Sequence, residues 1–270
     1  MRQFVAECAP DKKGRILVEG KKTKHLISVL RCSVGDMVTV RLPSGILQPM
    51  TVAYIDDTKK TVWLQIAGEK VENSAIGVEH KGVDLWLFQF AAKPPKMDLI
   101  IRQAVECGVS TIVPVAGTFC QSGSVESAKK KSKGTDERWE RIITEAREQS
   151  GSPVCTKVLP CVTLQQALVM WKKHVTKDKA LAFVLYEQSE GTVSLFSALK
   201  KTKLSDVQKA ALIVGAEGGI SSEEMEYLKQ NGVIAIHFAT NILRCETAAL
   251  YGIAALQNVL VEKEIWQFKE

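Results

Sequence analysis

The feature that most constrains this chain is a change of hydrophobic period near residue 70. Before it, apolar and polar residues alternate in Arg15-Ile-Leu-Val-Glu19, Met37-Val-Thr-Val-Arg-Leu42, Met50-Thr-Val-Ala-Tyr-Ile55 and Thr61-Val-Trp-Leu-Gln-Ile66. A period of two is that of strands with one buried face. Turn signals separate them at Pro43-Ser-Gly45 and at Asp56-Asp57, and a short helix is predicted over Thr23–Leu30. After the change, the largely apolar run Val83–Ala91 is followed by a 3.6-residue period over Lys96–Cys107. That period puts Met97, Ile100, Ile101, Ala104 and Val105 on one helix face, with Gly108 as the left-handed residue that ends it. Further strands are predicted at Thr111–Val115, Val154–Leu159, Ala180–Tyr186, Ala211–Val214 and Ile234–Phe238, with helices at about 136–150, 163–175 and 192–200. Ser221-Ser-Glu-Glu224 is a capping box, Gly232 closes its helix, and a last helix is expected from Glu246 to Lys263.

Strands alternating with helices of this length pack as a mostly parallel sheet covered on both faces. The sequence therefore divides into a small, basic, β-barrel-like module over residues 1–72, a linker at 73–82 and an α/β domain over 83–270.

The charge distribution narrows the class of partner. Net charge is +6, and Lys12, Lys13, Arg15, Lys21, Lys22, Lys24 and Arg31 face one acid, Glu19, in the same stretch. Lys129-Lys130-Lys131-Ser-Lys133 is a second basic run. One lysine run alone reads as a solvated loop; two on a globular chain point to a polyanion. Seven cysteines without a CxxC pair, and four scattered histidines, exclude a disulfide framework or a zinc cluster and fit a reducing cytosol. No apolar run is long enough to span a membrane, and the charged N-terminal stretch is not expected to be a signal peptide.

Two segments carry the chemistry. Ile213-Val-Gly-Ala-Glu-Gly-Gly-Ile-Ser221 leaves an apolar strand and enters a capped helix, and its glycines allow close backbone approach to a ligand. The spacing is neither the G-x-G-x-x-G of dinucleotide folds nor a P-loop, so a ligand-free turn stays open on this loop alone. Phe238-Ala-Thr-Asn-Ile-Leu-Arg-Cys-Glu-Thr-Ala-Ala-Leu250 follows the next strand and places Arg244 and Glu246 where the last helix opens. Glu246 has an equally good structural role, since an acid suits a helix N-terminus.

Together, Gly215-Ala-Glu-Gly-Gly219 and Ile242-Leu-Arg-Cys-Glu-Thr-Ala-Ala249 resemble the cofactor loops of the RsmE family of ribosomal RNA methyltransferases, within the SPOUT superfamily. Lys93-Pro-Pro-Lys-Met-Asp98, Gln103-Ala-Val-Glu-Cys-Gly-Val109, Glu137-Arg-Trp-Glu-Arg141 and Ala146-Arg-Glu-Gln-Ser-Gly151 resemble further family blocks in the same order. His25-Leu-Ile-Ser-Val-Leu-Arg31 with Gly35-Asp36 resembles its PUA-like N-terminal domain. The chain departs from the family at Ala216, Ala239 and Cys245, where Pro, Gly and Thr are usual, and at Gln121, where Arg is frequent.

The resemblance implies an α/β fold in which an N-terminal PUA-like small β-barrel precedes a SPOUT domain with a C-terminal trefoil knot. It implies a cytoplasmic homodimer that methylates uracil N3 in small-subunit (16S) ribosomal RNA, within an assembled subunit. S-adenosylmethionine would be held by Leu185, Gly215, Glu217, Gly218, Gly219, Phe238, Ala239, Leu243, Thr247 and Ala248, with no metal. Arg244, Glu217 and Glu246 are the implied catalytic residues. RNA contacts are expected from Lys21, Lys22, Lys24 and Arg31, joined by Lys93 and Lys96 of the Pro-Pro block.

Uracil N3 lies on the pairing edge, so the base must be unpaired or flipped out, and loss of its proton leaves charge on the ring oxygens. Glu217, Glu246 and Glu148 are the candidate proton acceptors by motif. Cys245 is set aside as a nucleophile because the family carries Thr there. An RNA-binding protein without catalysis and a nicotinamide-dependent oxidoreductase are the competing readings; the intact glycine and Arg244–Glu246 segments oppose the first, and the missing fingerprint opposes the second.

Overall fold

The computed structural model describes residues 4–56, 58–68, 83–133, 137–176, 179–200 and 202–261. The expected linker at 73–82 and the end of the last helix toward Lys263 lie outside the described residues. The chain divides into two compact units, residues 1–80 with 144–155 and residues 81–143 with 156–270.

The first unit holds β1 (Phe4–Val5), β2 (Arg15–Val18), α1 (Lys21–Lys24), β3 (Met37–Arg41), β4 (Leu47–Asp56) and β5 (Thr61–Ile66). Its five strands pair in the order β1-β3-β4-β5-β2, with β1 parallel to β3 and the other pairs antiparallel. The period of two does what it predicts: Val38, Val40, Met50, Val52, Val62 and Leu64 all point into one core with Phe4, Ile16, Val18 and Leu26. A bulge between Val52 and Tyr54 inserts one residue and turns Ile55 toward that core. The predicted helix at Thr23–Leu30 begins earlier, with α1, and continues as a π-helical turn over His25–Val29.

Thr144–Cys155 joins this unit through polar contacts that hydrophobic periodicity cannot register. Arg41 is fully buried, and its guanidinium donates to the carbonyl oxygens of Gly45 and Gly151, both at 2.7 Å. Burial, then the neighbouring Arg147 charge, lowers its pKa from the ordinary arginine value. Glu148 accepts from the Val5 amide at 3.4 Å and lies 3.6 Å from His25 Nε2. Burial raises its carboxyl above the usual range, against the opposing pull of His25.

The second unit runs β6 (Asp84–Phe90), α2 (Pro94–Glu106), β7 (Thr111–Ala116), α3 (Ser122–Ser132), the start of α4 (Arg138–Ser150), β8 (Lys157–Val158), β9 (Val162–Thr163), α5 (Leu164–His174), β10 (Ala180–Leu185), β11 (Val193–Ser194), α6 (Leu195–Leu199), β12 (Lys209–Val214), α7 (Ser222–Gln230), β13 (Ile234–His237) and α8 (Cys245–Val261). The sheet order is β11-β13-β10-β12-β6-β7-β8, with β9 beside β7, and every pair is parallel. Strands buried on both faces explain the apolar run Leu85–Phe88 of β6, where Leu87, Phe88 and, beyond Gln89, Phe90 have essentially no exposed surface. On α8, a Cβ at Gly252 would sit 2.8 Å from the side-chain methyls of Leu185 and Leu212, so a larger residue there would push those leucines aside.

Helix boundaries differ from the sequence reading for identifiable reasons. Pro94 and Pro95 open α2 instead of preceding it, because the first helical positions need no N–H. Gly108 adopts φ 73° and closes α2, with the Val109 amide donating to Ala104. α3 was not anticipated: its polar Ser-Gly-Ser start carries no apolar stripe. It takes up Lys129–Lys131, so this run is the last turn of a helix, not a loop. Expected strand Val154–Leu159 shortens to Lys157–Val158.

Asp98 ties three helices of this unit together. Its carboxylate accepts from Trp139 Nε1 at 3.0 Å and Arg138 Nε at 2.6 Å, and pairs with Lys131 Nζ at 3.5 Å. Lys131 also lies over the Trp139 ring, 5.9 Å from its centroid. Asp98→Ala is expected to destabilise the protein by about 3 kcal/mol, because it strands a buried ammonium and an indole N–H. Urea unfolding would check this, and Asp98→Asn should recover part of the loss by keeping an acceptor for the indole.

Candidate active site

A cavity of about 560 Å³ opens at the carboxyl ends of β10, β12 and β13, strands that are neighbours in the sheet. From β10 the chain moves to β12 on one side, then crosses to β13 on the other. Connections that diverge in this way leave a crevice above the strand ends, the usual ligand site of open parallel sheets. The volume falls within the range of about 300–1,000 Å³ typical of small-molecule pockets.

The loop after β12 forms the floor. Gly219 donates its amide to Ala216 at 3.0 Å, closing a tight turn, and takes φ 77°. A Cβ at Gly215 would come within 3.0 Å of the Gly219 backbone. Gly218 packs against Phe119, where a Cβ would lie 2.8 Å from the Phe119 Cβ and 3.0 Å from its carbonyl oxygen. Two further residues hold the turn in place, Gln89, which the sequence reading missed, and Glu224 of the predicted capping box. Gln89, a polar residue near the end of strand β6, is fully buried and donates Nε2 to the carbonyl oxygens of Val214 and Gly215 at 3.3 and 3.1 Å. Glu224 completes the capping box with Ser221 and also accepts from the Thr118 amide at 2.8 Å, tying down the loop beside Gly218. The sequence signal for Gln89 is its position as a polar break between Phe88 and Phe90.

Of the expected cofactor residues, Leu185, Gly215, Glu217, Gly218, Gly219, Phe238, Leu243 and Ala248 line the cavity, whereas Ala239 and Thr247 do not. Arg244 lines it too; its carbonyl accepts from the Ala248 amide at 2.7 Å, while its exposed side chain has no hydrogen-bond partner among the described residues. His237 and Glu187 line it and were not anticipated. His237 Nδ1 lies 2.7 Å from Thr192 Oγ1, whose hydroxyl is also within reach of the Ser189 carbonyl at 2.8 Å. Phe238 meets Tyr251 edge to face at 4.8 Å.

Charged side chains converge on one wall. Lys96, expected as an RNA contact, lines the cavity instead, 3.1 Å from Glu246 and 3.6 Å from Glu217. Glu217 also accepts from the Lys93 amide at the head of α2 at 3.2 Å, where a carboxylate suits the helix dipole. Glu246 does not line the cavity. Burial disfavours the Lys96 charge, yet its hydrogen bond to Glu246 and the surrounding acidic groups raise its pKa above the ordinary lysine value. Burial works against Glu246 as well, but the helix amide and Lys96 hold its carboxyl below the usual range. Cys245 is buried and its thiol donates to Glu246 at 3.3 Å; burial and that bond push it up to about 12. It has no means of acting as a thiolate. Glu148 is placed in the first unit, bonded to Val5, and is not among the cavity residues.

The expected N-terminal RNA residues lie apart in the first unit. Lys22 is committed to the Val5 carbonyl at 2.8 Å and to Glu7 at 3.2 Å, while Lys24 and Arg31 are exposed, Arg31 with φ 57°. Among the described residues, no group of His, Cys, Asp and Glu has the arrangement of a metal site.

Residues 79–257 match the family model of the RNA methyltransferase domain. The chain is 26% identical over 241 residues to ribosomal RNA small subunit methyltransferase E of Bacillus subtilis, covering 88% of each. It is 31% identical over 210 residues to the protein of that name from Aquifex aeolicus, covering 76% of this chain and 81% of the relative. The ribosomal RNA small subunit methyltransferase E of Neisseria gonorrhoeae, solved bound to S-adenosyl methionine, shares the fold, with a TM-score of 0.77 at 22% identity over 96% of this chain and 98% of that one.

The thiol geometry gives a direct check. With its pKa pushed up to about 12, Cys245 holds a thiolate fraction on the order of 10⁻⁴ at pH 8. Iodoacetamide at that pH should label the exposed Cys8 and Cys155 and leave Cys245 unmodified in the native protein. Peptide mass spectrometry showing Cys245 alkylated as fast as Cys8 would refute this account of the thiol.

Proposed function

This chain belongs to the RNA methyltransferase domain family and, within it, to the ribosomal RNA small subunit methyltransferases E, and we propose that it methylates uracil N3 of a uridine in small-subunit ribosomal RNA. The observation that carries the reading is the cavity at the ends of β10, β12 and β13, floored by the glycine turn and walled by Glu217, Lys96 and Arg244. S-adenosylmethionine fits it: the turn exposes backbone where Gly215 leaves no room for a side chain and Gly219 takes φ 77°, and Phe238 and Leu243 offer apolar walls. That molecule supplies a methyl group on a cationic sulfonium, which the Glu217 carboxylate complements.

The finer features belong to the same reading. The first unit is a PUA-like domain and the second a SPOUT domain with a C-terminal knot. The protein works in the cytoplasm as a homodimer, on RNA in the assembled small subunit. Among the described residues, no helix is long and apolar enough to cross a membrane. Lys24 and Arg31 contact RNA phosphates, and removing both should lower the slope of log affinity against log salt by about 1.4–1.8.

The reacting base is flipped out of its stack to bring N3 to the cavity. Placing N3 in line with the methyl carbon accounts for about 7–11 kcal/mol of the barrier. Arg244 donates to the ring oxygens as the imide proton leaves, a contact that strengthens in the transition state.

Mass spectrometry of nucleosides from small-subunit RNA and from assembled subunits, each incubated with the protein and S-adenosylmethionine, tests the reaction. N3-methyluridine, formed faster in the subunit, is expected; methylation elsewhere on the base or ribose would overturn the assignment. Arg244→Ala should retain S-adenosylmethionine and lower kcat roughly 10²–10³-fold, whereas Gly215→Val should weaken its binding more than tenfold by calorimetry.

A further inference from the structure

Lys96 has the sequence character of an RNA contact and the surroundings of something else. An ammonium carries three hydrogens and no acceptor. Three acidic groups surround it in this structure: it bonds to Glu246 Oε2 at 3.1 Å and Cys245 Sγ at 3.9 Å and pairs with Glu217 Oε1 at 3.6 Å. An RNA phosphate would have to compete with two carboxylates for this ammonium. The three partners come from the glycine loop after β12 and the first turn of α8, and Lys96 itself from the first turn of α2. One side chain thus joins three elements at the cavity wall.

We propose that Lys96 is a positioning residue that clamps Glu217 against the cavity, and that Glu217 is the acceptor of the uracil imide proton. The assignment deepens the methyltransferase reading and rests on it.

Of the two carboxylates that Lys96 holds, Glu217 faces the cavity and Glu246 does not. Glu246 is also the more committed, accepting from the Cys245 thiol as well as from Lys96. Glu217 keeps its second oxygen, Oε2, outside these contacts, since Lys93 and Lys96 both approach Oε1. A carboxylate pinned through one oxygen and open at the other is oriented to take a proton. The ionisable groups facing Glu217 are Lys96 from α2, Glu246 and Cys245 from α8, and Cys120 from the loop after β7. Burial raises both thiols, so neither adds charge there; Glu187, His237 and Arg244 line the same cavity.

The step balances within this arrangement. The N3–H bond breaks and its proton passes to Glu217, the N3 lone pair forms the bond to the methyl carbon, and the carbon–sulfur pair returns to sulfur. Charge in the cavity falls from both sides at once, the sulfonium becoming a neutral thioether as the carboxylate becomes a neutral acid. Lys96 keeps its charge throughout, paired with Glu246.

Steady-state kinetics on assembled subunits with Lys96→Met, Lys96→Arg and Glu217→Gln, with S-adenosylmethionine affinity measured separately, test the assignment. Glu217→Gln should lower kcat by about 10²–10⁴-fold, the contribution of a general base. Lys96→Met should lower kcat by roughly 10²-fold with little change in the KM for RNA, and Lys96→Arg should recover most of it. A higher KM for RNA, with kcat unchanged and the salt slope reduced by about 0.7–0.9, would make Lys96 a phosphate contact and overturn the proposal. If the wild-type protein forms no N3-methyluridine, the methyltransferase reading and the role of Glu217 fall together. The clamp is then judged by carbon-13 titration of the Glu246 carboxyl, which should move to higher pH in Lys96→Met; an unmoved titration would reject it.

Discussion

The site depends on the parallel pairing of β10 with β12 on one side and β13 on the other. Those two ladders bring together three strand ends that are far apart in sequence, and the residues that follow each strand have nowhere to go except around one crevice. The strands are held by apolar burial: Phe183, Val184, Ala211, Leu212 and Ile236 have essentially no exposed surface. Side chains this buried contribute about 1.5–3 kcal/mol each for the larger aliphatics and aromatics, so the framework stands without help from the loops. The polar fastenings are local additions. Gln89 occupies the last carbonyls of β12, and Glu224 links the glycine loop to Thr118.

The charged wall is a different kind of structure. Lys96, Glu217 and Glu246 are all partly exposed, and isolated pairs of that kind contribute at most about 1 kcal/mol to stability. Their value is positional. Each comes from a separate element, so holding the three together fixes α2, the glycine loop and the start of α8 relative to one another. The same cluster keeps Cys245 protonated, because the thiol donates to Glu246 and sits in the field of two acids. A cysteine beside a lysine is ordinarily activated; here burial and the carboxylates outweigh the ammonium.

Much of this was legible in the sequence, and what was not has a common cause. The change of period near residue 70, the apolar run of β6, the capping box at Ser221 and the glycine turn are local signals, and each falls where the structure has it. The resemblance added the pairing of the two loops, which no local pattern contains. What escaped were contacts between distant segments. Lys96 reads as a basic surface residue because its partners lie at Glu217 and Glu246. Thr144–Cys155 reads as part of the second segment because the Arg41–Gly151 bond that draws it to the first unit spans residues with no shared periodicity. α3 escaped because a polar helix with small residues at its start carries no apolar stripe. Lys131, counted among solvent lysines, instead supports Asp98 and Trp139.

The contrast between Arg244 and Lys96 follows from where each cation finds its counter-charge. Lys96 is neutralised inside the protein, so its position is the same whether or not a substrate is present. The Arg244 side chain is exposed at the cavity and has no partner among the described residues, so water screens its charge until something covers it. An effective dielectric near 80 reduces a contact at about 4 Å to roughly 1 kcal/mol, and the same contact at about 20 is worth roughly four times more. A guanidinium left in solvent therefore contributes little to holding a small ligand and much more once an RNA strand closes over the cavity and excludes water. Charge stabilisation that appears only on closure is spent on the reacting complex and not on the bound ground state, which is the condition for it to accelerate the reaction. On the proposed reading, the two cations divide the work by exposure: the partly buried lysine would set the geometry in advance, and the exposed arginine would act on the substrate that covers it.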